Sequence, residues 1–391
     1  FMKHLAISYF STYPDKGYKS DQIKAIVKEL QAKSLPYSIF SMHYSNSVFL
    51  SKKDSSFSSS LPLLVSKLFF KLKFDLFFPK YKAYLIGEKI FGWIFYARIK
   101  NNPSDVVLLK NRPIKLIKML KKNTNKFLVI EADQQHPYFT RDLVQNEFKR
   151  YNIKSKSIYT DKNAVSEYVQ AFDYADLIIV YSEFQKKIMV ERGVKKRIVV
   201  CETGLNVSGQ IIKNRRLISN NKIVFIAFAN HSILKGTHIL IELWLQLNLN
   251  FELIIAGSLD LDFQEFLRNS PKLPKQITFL TDFDSHKLKL LSQEYNLVGI
   301  APSLSEGYSR VLTEYFQNCI PVIASKINDI GVAKYNFGIV VDYFNKDQIM
   351  EAILYLSKFK NYSKCHANLS SHNFRTYRDF AKQLIEEIHL K

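Results

Sequence analysis

Glu306 and Glu314 stand either side of one short loop and helix start, in the run Pro302-Ser303-Leu304-Ser305-Glu306-Gly307-Tyr308-Ser309-Arg310-Val311-Leu312-Thr313-Glu314. A carboxylate accepts two hydroxyl hydrogen bonds at once. Acids on both sides of an anion site therefore suit a ligand with a sugar ring at each end. An apolar strand, 297–301, leads into the loop. A helix starts near Ser309, with Val311, Leu312, Tyr315 and Phe316 at core-facing spacing, and a second buried strand, 320–324, follows. Strand, glycine-bearing loop, helix and strand make an α/β crossover. Its loop amides and the positive end of its helix fall at the carboxyl edge of a parallel sheet, where a phosphate is favoured. The plain alternative is that Glu306 caps the helix and Glu314 is a solvated helix residue.

The elements that must position this loop repeat along the chain. A strand at 3–10, a turn-rich loop at 11–18, a helix capped by Ser20 or Asp21 and running through Leu30, and a strand at 37–42 open a doubly wound domain. Further strands are expected at 106–109 and 126–130, and basic helix at 113–122. The strand at 126–130 ends in Glu131-Ala132-Asp133-Gln134-Gln135-His136, acid and imidazole where such a sheet binds ligands; His136 reads equally well as a functional or a structural residue. A second strand series begins at 223–227, continues at 251–256 and 277–280, and ends at 337–342, before helices at 346–359 and 374–390. The 391 residues exceed what one hydrophobic core holds, so two domains are expected.

Composition narrows the class. The chain is 47% hydrophobic with few Gly and Pro, which excludes a disordered protein. Cys201, Cys319 and Cys365 are odd in number and far apart, with neither metal spacing nor a disulfide framework. Phe1 precedes Met2, the start is read at Met2, and no signal peptide is expected after it. The formal net charge is +21, so nucleic acid, an anionic membrane surface or an acidic substrate are the candidate partners. Much of the excess is local: residues 61–126 carry fifteen Lys and Arg against three Asp and Glu. Within it, Leu61 to Phe78 and Phe91 to Tyr96 mix Phe, Leu and Lys, with no apolar run reaching the ~20 residues that a membrane-spanning helix needs. Residues 61–100 are read as a surface lying on an anionic bilayer, against the alternative of core helices with a solvated lysine face. No nucleic-acid motif is present, and nucleic acid is not expected as a partner.

Pro302 to Ser309, then Val311-Leu312 and Glu314, then Pro321-Val322-Ile323-Ala324, resembles the donor-site signature of the retaining GT-B glycosyltransferases with the E-x7-E motif. Tyr308-Ser309 stand where that family usually has Phe-Gly, and Asn318-Cys319 where it has a small residue and Gly. The resemblance implies two Rossmann-like domains facing across a cleft: 2–210 on the acceptor side, 220–373 for the nucleotide sugar, and a helix, 374–391, crossing back to the first. Asn230-His231-Ser232-Ile233-Leu234-Lys235-Gly236 resembles the family loop whose Arg and Lys neutralise the donor diphosphate; Lys235 matches and Asn230 replaces the arginine, with His231 or Arg310 available to compensate. The resemblance further places Gly17, Gly257, Phe283, Gly307, Tyr308, Ser309 and Arg310 against the donor, Glu306 on its sugar, Glu314 on its ribose, and a histidine such as His136 near the reacting carbon.

What it implies is a hexosyltransferase moving sugar from a nucleoside diphosphate to a saccharide or lipid-linked acceptor. Configuration would be retained, with no metal or cofactor, in cell-surface polysaccharide synthesis on the cytoplasmic face of the membrane. The Asp282-x-Asp284 pair is read as helix-start acids and not as a metal chelate. A nucleotide-sugar epimerase, a phosphorylase or a non-catalytic relic of the fold are the alternatives.

Overall fold

The computed structural model describes residues 2–13, 18–44, 57–59, 61–72, 79, 81–110, 113–205, 217–218, 222–247 and 249–389. Gly17, most of the serine-rich stretch 51–60, residues 73–78 and most of the stretch 208–221 between the two expected strand series lie outside them.

Seven strands form the first sheet: β1 (Leu5–Tyr13), β2 (Tyr37–Tyr44), β3 (Phe57–Ser58), β4 (Val106–Leu109), β5 (Phe127–Glu131), β6 (Leu177–Val180) and β7 (Arg197–Val200). Their order is β3-β2-β1-β4-β5-β6-β7, every pair parallel. Runs such as Val106-Val107-Leu108-Leu109 and Leu177-Ile178-Ile179-Val180 are buried at every position, as strands covered by helices on both faces must be. The second sheet has six: β8 (Ile223–Phe228), β9 (Leu253–Ala256), β10 (Ile277–Leu280), β11 (Asn296–Ala301), β12 (Val322–Ser325) and β13 (Gly338–Val341). Its order, β10-β9-β8-β11-β12-β13, is again all parallel and doubly wound. Strand order reverses between β8 and β11, so the loops leaving their carboxyl ends diverge and open a crevice.

The chain divides into two compact units: Phe1–Phe139, Lys156–Asn206 and Arg375–Lys391 in one, Thr140–Ser155 and Val207–Phe374 in the other. The helix Tyr377–His389 joins the first unit by burying Phe380, Ala381, Leu384, Ile385 and Ile388 completely. Leu205 and Arg375 are also joined there by a backbone hydrogen bond of 2.7 Å.

Three local expectations need correction. The first helix runs Tyr18–Ala32, so Ser20 and Asp21 lie inside it; Asp21 pairs with Lys24 at 2.9 Å on its first turn. Phe57–Ser58, where no strand was expected, pairs with β2. The aromatic surface is smaller than its composition suggests: Phe91 and Phe95 on the helix Tyr81–Ile99 are 3% and 1% exposed, stacked on each other, with Phe95 edge-on to Phe40. Among described residues, no helix is long and apolar enough to cross a membrane.

Candidate active site

At the carboxyl end of β11 the chain enters the 302–309 loop, and two neighbouring loops hold it. The Leu304 N–H donates to the Leu234 carbonyl at 2.9 Å, and Ser325 Oγ donates to the Ser303 carbonyl at 2.8 Å. Gly236 allows the first approach: its φ is 71°, and a Cβ there would lie 2.0 Å from the Pro302 carbonyl oxygen. Only glycine takes that left-handed turn with backbone so close. Gly257, with φ 116°, lies against Ala229 in the same way, a Cβ falling 1.9 Å from its carbonyl oxygen. Both glycines therefore set loop spacing. The turn Ile233–Lys235 ahead of Gly236 then carries Lys235 Nζ to 2.5 Å from Glu306 Oε2.

Ser309 caps the helix Arg310–Gln317, its side chain accepting from the Leu312 N–H at 3.4 Å. Arg310, the first helical residue, donates from Nε to Glu314 Oε1 at 3.0 Å; Ser285 Oγ donates to Oε2 of the same carboxylate at 2.7 Å. Tyr315, fully buried, donates to the Ile226 carbonyl at 3.0 Å and accepts from the Phe228 N–H at 2.9 Å. Gly299 leaves room for its ring, which a Cβ would approach to 2.5 Å. The helix is thus pinned to β8 and β11.

Lys235, Glu306, Ser309 and Arg310 line one pocket at this edge, together with Phe228 and Thr237. Two cations and two carboxylates gather here and pair one to one, Lys235 with Glu306 and Arg310 with Glu314. The helix N-terminus adds positive potential to the same spot. Such a site can hold an anion while presenting carboxylates to hydroxyls beside it.

Residues 209–369 match the family described as glycosyl transferases group 1. That match spans the second strand series and the 302–309 loop, and stops short of the first sheet. Solved structures of similar fold include trehalose-6-phosphate from E. coli bound with UDP-2-fluoro glucose, which matches with a TM-score of 0.64 at 12% identity, over 98% of both chains. Sucrose-phosphate synthase from Thermosynechococcus elongatus matches with a TM-score of 0.64 at 14% identity, over 99% of this chain and 98% of that one. Anabaena Alr3699/HepE in complex with UDP and glucose matches with a TM-score of 0.58 at 14% identity, over 100% of both. At such identities the likeness is one of fold. No curated protein matches the sequence.

The remaining expected donor residues divide by exposure. Asn230 is exposed; its Oδ1 accepts from Ser258 Oγ at 2.5 Å, and its Nδ2 lies 3.4 Å from Asp260 Oδ2. Burial pushes the Asp260 carboxyl up, and carries that of Asp262, beside the Ile233 N–H, to about 6. His231 does not reach the surface. It is fully buried, Nδ1 on Thr237 Oγ1 at 2.8 Å and Nε2 on the Ala256 carbonyl at 2.9 Å, and burial lowers its pKa to about 4. A neutral, enclosed imidazole cannot replace a guanidinium; it ties the 230–236 loop to the end of β9. Phe283 is half-buried and packs edge-on against Phe228, centroids 5.3 Å apart, so an aromatic pair borders the pocket. Gly307 is buried in the loop and Tyr308 half-exposed.

His136 belongs to the first unit and is fully buried, its ring 5.7 Å from that of Tyr138 and 6.0 Å from that of Phe172; its Nδ1 accepts from the Tyr138 N–H at 3.3 Å. Glu131, at the end of β5, is neutralised by Lys110 at 2.6 Å, both side chains 1% exposed, and accepts from the Tyr181 hydroxyl. Asp284 caps the helix Ser285–Glu294 and Asp282 pairs with Lys287 at 2.5 Å. Among described residues, no three His, Cys, Asp or Glu side chains gather as a metal site. Ser285, Phe228 and Tyr315 were the site residues that sequence patterns did not single out for function. Only Tyr315 left a trace, as a tyrosine at core-facing spacing whose buried hydroxyl needs partners.

Proposed function

We propose that this protein transfers a hexosyl group from a nucleoside-diphosphate sugar to a saccharide or lipid-linked acceptor, with retention of configuration, in cell-surface glycan synthesis. The observation that carries the reading is the meeting of Lys235 and Glu306 in one pocket beside the amino end of the helix Arg310–Gln317. Breaking a glycosyl–phosphate bond builds negative charge on the departing diphosphate, and fixed positive potential placed there lowers the barrier most. Lys235 and the helix N-terminus supply it, which is why we propose departure without a metal. Glu306 holds sugar hydroxyls and Glu314 the ribose hydroxyls. The acceptor attacks on the face the diphosphate leaves, the diphosphate taking the acceptor's proton. UDP-2-fluoro glucose in one structure of similar fold, and UDP with glucose in another, support a nucleotide donor.

A membrane surface belongs to the same proposal. On the helix Leu61–Lys71, Leu61, Leu64 and Leu68, with Leu72 just after it, form one stripe, each 50–59% exposed, with Lys67 and Lys71 along its border. Trp93, 56% exposed, adds an aromatic anchor. An apolar stripe bordered by lysines suits an anionic bilayer.

The test is Glu306→Ala. Sugar release or transfer from a panel of nucleoside-diphosphate sugars should fall by at least about a hundredfold, with the melting temperature little changed. Full activity in that variant sinks the site assignment.

A further inference from the structure

We propose that Arg310 is the second cation of the diphosphate site, and that donor binding hands it, like Lys235, from a carboxylate to a phosphate. The inference rests on the donor reading above and concerns how this particular chain builds its positive charge. Arg310 and Lys235 are the two cations lining the pocket, one at each side of the Glu306 loop. Each is held in the structure by one of the two motif glutamates: Lys235 Nζ on Glu306 Oε2 at 2.5 Å, Arg310 Nε on Glu314 Oε1 at 3.0 Å. Each lining cation is therefore already neutralised by a carboxylate, Glu306 inside the pocket and Glu314 one helical turn behind it, so a diphosphate must compete with a carboxylate for each.

The ligand itself resolves the conflict. A nucleoside-diphosphate sugar carries hydroxyls on the rings flanking its phosphates. If the phosphates take Lys235 and Arg310, the released carboxylates accept from those hydroxyls, and no carboxylate is left without a hydrogen-bond donor. The side chains differ in freedom in the way this requires. Glu306 and Glu314 are each 11% exposed and held, whereas Arg310 is 56% exposed and Lys235 28%. The long cations move and the short acids stay. Arginine also presents a planar fork that binds phosphate oxygens in pairs, which lysine cannot. The other candidates for the second charge fail on geometry. His231 has both ring nitrogens occupied inside the fold, and Asn230 is uncharged and faces Asp260.

The experiment uses the full chain and two matched panels, the nucleoside diphosphates (UDP, GDP, ADP, TDP, CDP) and their parent nucleosides, with dissociation constants measured calorimetrically. Arg310 is on the surface, so Arg310→Gln should fold as the parent does, checked by its melting temperature. The tightest diphosphate should lose about ten- to hundredfold in affinity in Arg310→Gln, as removal of a charge-assisted hydrogen bond gives. The matching nucleoside should keep its affinity. Unchanged diphosphate affinity overturns the proposal. So does an equal loss for diphosphate and nucleoside, since Arg310 would then act only by positioning Glu314 on the ribose. If the unmutated protein binds no diphosphate of the panel, the donor reading itself falls, and this one with it.

Discussion

Gly236 shows how much of the site depends on a residue that has no side chain. With φ at 71° and the Pro302 carbonyl 2.0 Å from where a Cβ would stand, Gly236→Ala must push the two loops apart. We expect a loss of about 1–3 kcal/mol of stability and weaker donor binding, read by thermal denaturation and titration. His231 sets a pH dependence. Its folded-state pKa is about 4 against an ordinary 6.5, with burial as the largest cause, so below pH 6.5 the unfolded chain takes up a proton that the folded one refuses. The His231 contribution should be flat above that pH. It should fall by about 1.4 kcal/mol per unit as pH drops towards 4 and level off below, against an opposing gain from Asp262, whose raised carboxyl takes up its proton in the folded chain first. His231→Asn, which removes the titrating group, should flatten that slope in melting curves taken from pH 7 to 4. At this scale the sequence announced what side-chain type decides: the acids of the motif and one loop lysine. It could not announce that His231 turns inward while Arg310 turns out, because loop residues have no periodicity from which a facing direction can be read.

At the scale of elements, parallel strands were easy to read, since strands buried on both faces are continuous apolar runs such as Leu177-Ile178-Ile179-Val180. Helix faces were harder. Phe91 and Phe95 share composition with Trp93, and only packing against Phe40 separates core from surface. The exposed stripe on the helix Leu61–Lys71 has a consequence of its own. Replacing Leu64 and Leu68 by serine should weaken co-sedimentation with vesicles containing anionic lipid by about tenfold or more, each buried leucine contributing about 1.5–3 kcal/mol. The variant should bind nucleotide normally. Equal sedimentation of variant and parent, or binding only to another protein, would remove the bilayer from the proposal.

At the scale of the whole molecule, two parallel sheets and the helices between their strands hold most of the described residues, and both sheets were legible from strands alternating with helices. The assignment of Thr140–Ser155 to the second unit was not, since membership in a unit is set by contacts distant in sequence. The helix Tyr377–His389 makes the same point with larger numbers. Removing 375–391 would delete five completely buried side chains and bare the surface they cover, a loss on the order of 8–10 kcal/mol of apolar burial, against a typical domain stability of about 5–15. The truncated chain should lose the melting transition of the first unit and keep that of the second, together with its affinity for nucleotide. Retention of both transitions would show that the helix is dispensable.

That last helix also orders events on the ribosome. The first unit begins with residues made early, but the side chains that seal its core emerge only after every residue of the second unit has been synthesised. The second sheet can fold as it is released, while the first must wait, its apolar flank open, until translation passes residue 388.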